Sequence, residues 1–142
     1  MPAPYKGKCA CGSVTATISA EPVRVGQCWC RQCQQSAGGG ATNNAIFETP
    51  SVTIEGDLAR HSYRAPSGNT VHHDFCPTCG TPVLNTTKAR PQFIGFRLGF
   101  LDESHGLKPA VAIWTSEAPD WAVIDPALER YERQPPPPPG AS

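Results

Sequence analysis

Phe75-Cys76-Pro77-Thr78-Cys79-Gly80 is the stretch on which the fold of this 142-residue chain turns. Two cysteines three apart grip one metal ion from a tight turn. Pro77 pre-sets φ for that turn, and Gly80 can take the positive φ that faces backbone N–H groups toward the sulfurs. Negative thiolates need such donors. A knuckle of this kind supplies two ligands of a four-coordinate site, so a second pair must come from far away in sequence. The chain offers Cys9-Ala10-Cys11-Gly12 and Cys28-Trp29-Cys30-Arg31-Gln32-Cys33. If the three-cysteine cluster acts as a unit, Cys9 and Cys11 are left for the knuckle and staple the N-terminal strand to the middle of the chain. The alternative joins the knuckle to Cys28 and Cys30.

Disulfides do not account for the seven cysteines. The number is odd, and Met1-Pro-Ala-Pro-Tyr-Lys6 has no apolar run of the secretory kind, so a reducing, cytoplasmic setting is expected. There, clustered cysteines are more often metal-bound than paired. Four thiolates close a tetrahedral zinc site and three leave one position open, so two zinc ions per chain are expected, one sealed and one open. Such sites carry about −2 and −1, which the balance of 12 basic and 12 acidic side chains does not include. No stretch concentrates Lys or Arg, which argues against a nucleic-acid partner. No apolar run nears the roughly 20 residues that span a bilayer, which argues against a membrane partner.

The 39% hydrophobic content with 13 Gly and 16 Pro predicts an all-β, mostly antiparallel domain over 1–134, with minimal helix. Period-two patterning predicts strands at Gly12–Ile18, Val52–Glu55, Val71–Phe75 and Ala110–Trp114. Gln92–Leu101 is the most hydrophobic stretch, and Gly95 and Gly99 predict a bent or bulged central strand. A helical turn or two is expected at Pro126–Tyr131 behind an Asp125 N-cap. The remaining 135–142, opening on five prolines, is expected to be a disordered tail.

Cys28, Cys30 and Cys33 pack three ligands into six residues, and geometry leaves the fourth corner of the ion to something else. A second sealed site would instead draw a fourth donor from His61, His72, His73, His105 or Asp74. His72 and His73 are neighbours on a strand and face opposite sides, so one at most could reach the ion. Gly38, Gly39 and Gly40 follow the cluster in a small polar loop, where exposed backbone can approach an extended ligand and bond its carboxylates or amides. A hairpin connection explains the same glycines. His72, His73 and Asp74 are the candidate general bases.

The three clusters in this order, with Gly7-Lys-Cys-x-Cys-Gly12, Phe75-Cys-x-x-Cys-Gly80 and the end from Trp114 to Tyr131, resemble the glutathione-dependent formaldehyde-activating enzyme family, which includes centromere protein V-like proteins. The resemblance implies a small zinc-stabilised β domain of several short sheets, of the Mss4-like or β-tent kind, with Cys9, Cys11, Cys76 and Cys79 as the structural site. It implies that Cys28, Cys30 and Cys33 are catalytic and hold the zinc that meets glutathione, whose thiolate adds to formaldehyde to give S-hydroxymethylglutathione. The enzyme would then be a carbon–sulfur lyase with glutathione, or a similar thiol, and a small aldehyde as partners. Gln34 and Gln35 stand where a basic residue would hold glutathione carboxylates, so Gln34→Arg is expected to tighten binding if the side chain reaches one. A non-catalytic zinc module for protein interaction and a redox sensor are the rival readings of the same cysteines.

Overall fold

The computed structural model describes residues 3–136 and shows a β protein of two sheets with a single short α-helix among those residues. The strands are β1 (Tyr5–Lys8), β2 (Thr15–Ile18), β3 (Arg24–Cys28), β4 (Thr42–Glu48), β5 (Val52–Glu55) and β6 (Ala59–Arg64). Then follow β7 (Thr70–Phe75), β8 (Pro82–Thr87), β9 (Phe93–Arg97), β10 (Val111–Ile113) and β11 (Glu129–Arg130), with α1 (Arg31–Ser36) between β3 and β4. The small sheet has the order β1-β2-β5 and the large one β11-β10-β3-β4-β9-β8-β7-β6. Pairing is antiparallel throughout, except that β10 runs parallel to both β3 and β11. The expected short antiparallel sheets are therefore one small sheet and one long one.

The core lies between them. Tyr5, Ala16 and Ile18 from the small sheet, with Val14 just before β2, meet Ala45, Phe47, Leu84, Ile94 and Phe96 from the large one, all buried. Rings run through this layer as a chain: Tyr5 to Phe47 at 5.8 Å between centroids, Phe47 to Phe96 edge-on at 6.1 Å, and Phe96 stacked on Phe100 at 5.8 Å. Cys9 and Cys76 belong to the same cluster, so the first cysteine group is continuous with the apolar interior. No helix of the described residues is long and apolar enough to cross a membrane.

The hydrophobic stretch at Gln92–Leu101 is the central strand expected, but it pairs in unbroken register with β4 and ends in a 3-10 turn at Leu98–Phe100. The irregularity sits elsewhere, between Asp74 and Phe75. Gly95 answers a different need, since a Cβ there would stand 2.8 Å from the Asn85 side-chain oxygen. Pro126–Tyr131 is not helical. Asp125 caps the Ala127 N–H at 2.9 Å, but Glu129 and Tyr131 donate to Ala110 and Ala112, which makes the segment an edge strand. Of the proline run, Pro135 is buried and the Pro136 carbonyl accepts from Arg24 at 3.2 Å. Residues 137–142 of the expected tail lie outside the described residues.

Gly7 lets β1 lie close against the turn that follows β9. A Cβ there would fall 2.4 Å from the buried Phe100 ring and 2.9 Å from its carbonyl oxygen. Gly7→Ala is expected to lower the melting temperature by roughly 10 °C through overpacking. An unchanged melt would show that Phe100 does not close on β1.

Candidate metal centres

Cys9 and Cys11 lie in the turn after β1, Cys76 and Cys79 in the turn after β7, and their four sulfurs all fall within 4.8 Å of one another. Gly80 takes the positive φ expected of it, +78°, and Gly12 takes +82° in the turn that carries Cys9 and Cys11. Sulfur separations are 3.7 Å for Cys9–Cys11 and 3.8 Å for Cys11–Cys76. A tetrahedron with metal–sulfur bonds of ~2.3 Å has edges of about 3.8 Å, so the spacing suits a four-thiolate zinc site. Backbone N–H groups point at the sulfurs: Val14 to Cys9 at 3.3 Å, Thr78 and Cys79 to Cys76 at 3.4 and 3.5 Å. The Thr81 hydroxyl, 3.1 Å from the Cys79 sulfur, and the Thr81 backbone N–H lower that thiol to about 5. The knuckle thus pairs with Cys9 and Cys11, and not with Cys28 and Cys30.

Cys28, Cys30 and Cys33 form the second group, again within 4.8 Å. Cys28 ends β3, Cys30 is the N-cap of α1, and Cys33 sits in its first turn. A six-residue helix is too short to announce itself by periodicity, and it forms here because its first N–H groups find partners. The Cys30 sulfur accepts from the Cys33 N–H at 3.3 Å, and the Glu117 carboxylate accepts from the Arg31 N–H at 2.9 Å. Three thiols in contact divide their protons unequally. Bonds from Cys28 and Cys30, with help from Thr42 and the positive Arg97, pull Cys33 down to about 3, while contact with Cys30 and Cys33, and burial, push Cys28 up. A divalent cation is what allows all three to ionise together. No histidine or carboxylate among the described residues joins the group.

The sheet beside this group carries Arg97, Asn44 and Asn85, which no motif signalled, on one face with two of the histidines. Asn44 faces Arg97 across β4 and β9, Asn85 faces Gly95 and His73, and His73 faces His61, so these side chains share one surface. Arg97, only 7% exposed, donates to the Asn44 side-chain oxygen, to that of Asn85 at 2.9 Å and to the Ser36 hydroxyl of α1 at 3.4 Å. Burial raises the Tyr63 hydroxyl, reinforced by the negative charge of Cys30, Cys33 and Cys28.

Of the three candidate bases, Asp74 is held by Arg60 at 2.8 and 3.0 Å on the opposite face, and His72 by the Ser62 hydroxyl at 2.7 Å. His73 alone shares the face of Arg97, against the Tyr63 ring at 5.3 Å. Burial, then the Arg97 charge, lowers its imidazole from 6.5 to about 4. An unfolded chain therefore takes up this proton first on acidification, and the stability it contributes, complete above 6.5, is lost as pH falls toward 4. A His73→Gln variant should melt with a flatter pH profile across that window. Parallel profiles would show that His73 protonates freely in the fold.

Gln34 does not face solvent. It is 6% exposed, and its amide donates to the Trp29 carbonyl at 2.7 Å and the Glu117 carbonyl at 2.8 Å, tying the cysteine loop to the segment after β10. Arginine there would break both bonds, which reverses the expectation that Gln34→Arg improves binding. Gly38 and Gly39, with φ of +76° and +113°, make the turn from α1 into β4, and nothing crowds them. Their flanks, Ala37 and Ala41, line a cleft of about 370 Å³ with Thr42, Thr81 and Arg97.

Two sheets joined by a four-cysteine group, with a three-cysteine group beside a cleft, define a small β protein whose two cysteine groups could hold metal ions, their donors compatible with zinc. Residues 4–117 match the model of the glutathione-dependent formaldehyde-activating enzyme family, and the chain belongs to that family. That family is associated with glutathione-dependent activation of formaldehyde. Among solved structures, the crystal structure of a Rhodobacter sphaeroides protein is similar at TM-score 0.56 and 22% identity, covering 73% of this chain and 91% of that one. This likeness concerns the fold. No curated protein matches the chain.

Proposed function

We propose that the protein accelerates the addition of glutathione, or a similar thiol, to formaldehyde or a related small aldehyde, acting as a carbon–sulfur lyase of the S-(hydroxymethyl)glutathione synthase type in the cytoplasm. The observation that carries this reading is the three-sulfur group with no fourth donor among the described residues, in a chain of this family. Cys9, Cys11, Cys76 and Cys79 would hold one zinc ion as a structural centre, and Cys28, Cys30 and Cys33 a second. When bound there, the second ion supplies a coordination position at which a thiol ionises near neutral pH.

The chain's own residues do the rest. α1 and the β3 end hold the three sulfurs in place, and the adjoining cleft, with the Gly38–Gly40 turn at its rim, receives the body of the thiol. In the reaction the sulfur lone pair forms the new S–C bond, the carbonyl π pair moves to oxygen, and that oxygen takes up a proton. The thiol proton is the one released. Because addition and its reversal also proceed in water, holding both reactants in one place is the main contribution expected.

Two-dimensional exchange NMR on an equilibrated mixture of glutathione and formaldehyde tests this. The zinc-reconstituted protein should speed exchange between free and adduct glutathione without altering their equilibrium ratio. Exchange at the protein-free rate across millimolar glutathione would overturn the reading and favour a non-catalytic zinc module.

A further inference from the structure

Arg97 is a buried guanidinium whose hydrogen-bond partners are all neutral: the side-chain oxygens of Asn44 and Asn85 and the Ser36 hydroxyl. No carboxylate of the described residues pairs with it, whereas Arg60, half exposed, has Asp74. A charge taken out of water in this way is costly unless an opposite charge meets it. Two amides and a hydroxyl fix the planar fork and leave part of its five-donor set unused. The cleft beside it, about 370 Å³, falls in the size range of small-molecule sites. Its wall includes Ser36, Thr42, Asn43 and Thr81, and among the described residues Arg97 is the one charged side chain in it. Thr42, also in the wall, lies opposite Cys28 across β3 and β4, so the cleft adjoins the sulfur group.

Resting on the function proposed above, we propose that Arg97 binds a carboxylate of the thiol substrate in this cleft, so that the enzyme selects thiols bearing a carboxylate a few bonds from sulfur. Asn44, Asn85 and Ser36 are positioning residues that hold the fork, and Gly95 leaves the room in which the Asn85 amide reaches it. The other role open to a cation here is balancing the negative charge of the three thiolates, which would serve every thiol alike.

Three measurements separate these. With the zinc-loaded wild type, exchange NMR with glutathione and with its diethyl ester should give half-saturation at least about tenfold lower for the free acid, as expected for losing a charge-assisted bond. In Arg97→Gln the two thiols should converge, and Arg97→Lys should keep part of the preference. S-methylglutathione, which carries both carboxylates and no thiol, should shift amide signals of the cleft in the wild type and do so about tenfold more weakly in Arg97→Gln. Equal handling of acid and ester by the wild type overturns the proposal, and needs no variant to fold. So does an Arg97→Gln loss of the same size for both thiols, which would mark charge balance. If no thiol exchanges faster than without protein, the function fails, and the S-methylglutathione arm still decides on Arg97.

Discussion

Cys76→Ser should leave the chain unfolded at room temperature, with its zinc content lost and no cooperative thermal transition. The sulfur is fully buried, sits in the apolar cluster between the sheets and lies 3.8 Å from Cys11, 65 positions away in sequence. Serine offers a harder and shorter donor, and a structural zinc site of this type contributes on the order of 10 kcal/mol. A domain of this size has only about 5–15 kcal/mol of net stability. Burial alone could produce some of the loss, since Cys76 is also core. Cys79 separates the two causes, because it is exposed and does not belong to the core cluster. If the metal holds the junction, Cys79→Ser fails as badly as Cys76→Ser in circular dichroism and thermal melts. A folded Cys79→Ser variant beside an unfolded Cys76→Ser one would assign the stability to packing.

The spacing of sulfurs is legible in a sequence because ligands of one ion must lie within bond reach, and turn residues beside them, Gly12 and Gly80, report the backbone that brings them there. β5 was readable residue for residue, as Val52 and Ile54 alternate with Thr53 and Glu55 on a half-covered sheet. β3, β6 and β8 were not. RVGQC, ARHSYR and PVLNTT lack a clean apolar period, and they are strands because neighbours on both sides, or on one, complete their ladders. The same logic turned Pro126–Tyr131 into an edge strand against a favourable helix start. Arg97, Asn44 and Asn85 carry no local signal at all. They meet only because β4, β9 and β8 pair in one particular register, which places residues 53 and 12 positions apart on one surface. Gln34 was misjudged for a related reason: its two partners are backbone carbonyls, one of them 83 positions away, and carbonyls are invisible to motif reading.

Cys30→Ser is expected to abolish the acceleration of glutathione–formaldehyde exchange while leaving the protein folded, with one zinc ion in place of two. Position 30 is the cleanest of the three at which to ask. Cys28 terminates a strand in the middle of the large sheet, and Cys33 is buried against Thr42. Cys30 is the N-cap of α1, where its side chain accepts the Cys33 N–H, and serine is among the strongest N-cap residues. The substitution therefore preserves the local helix start while removing one soft ligand from the metal-binding group. Two sulfurs hold an ion far less tightly than three, so the second zinc should leave during chelator titration at concentrations that spare the first. Lys88→Ala, on an exposed turn away from both groups, should leave exchange, melting and metal content unchanged. A Cys30→Ser protein that unfolds as Cys76→Ser does would make the second group a structural centre. One that keeps the wild-type exchange rate would show that the three sulfurs take no part in the reaction.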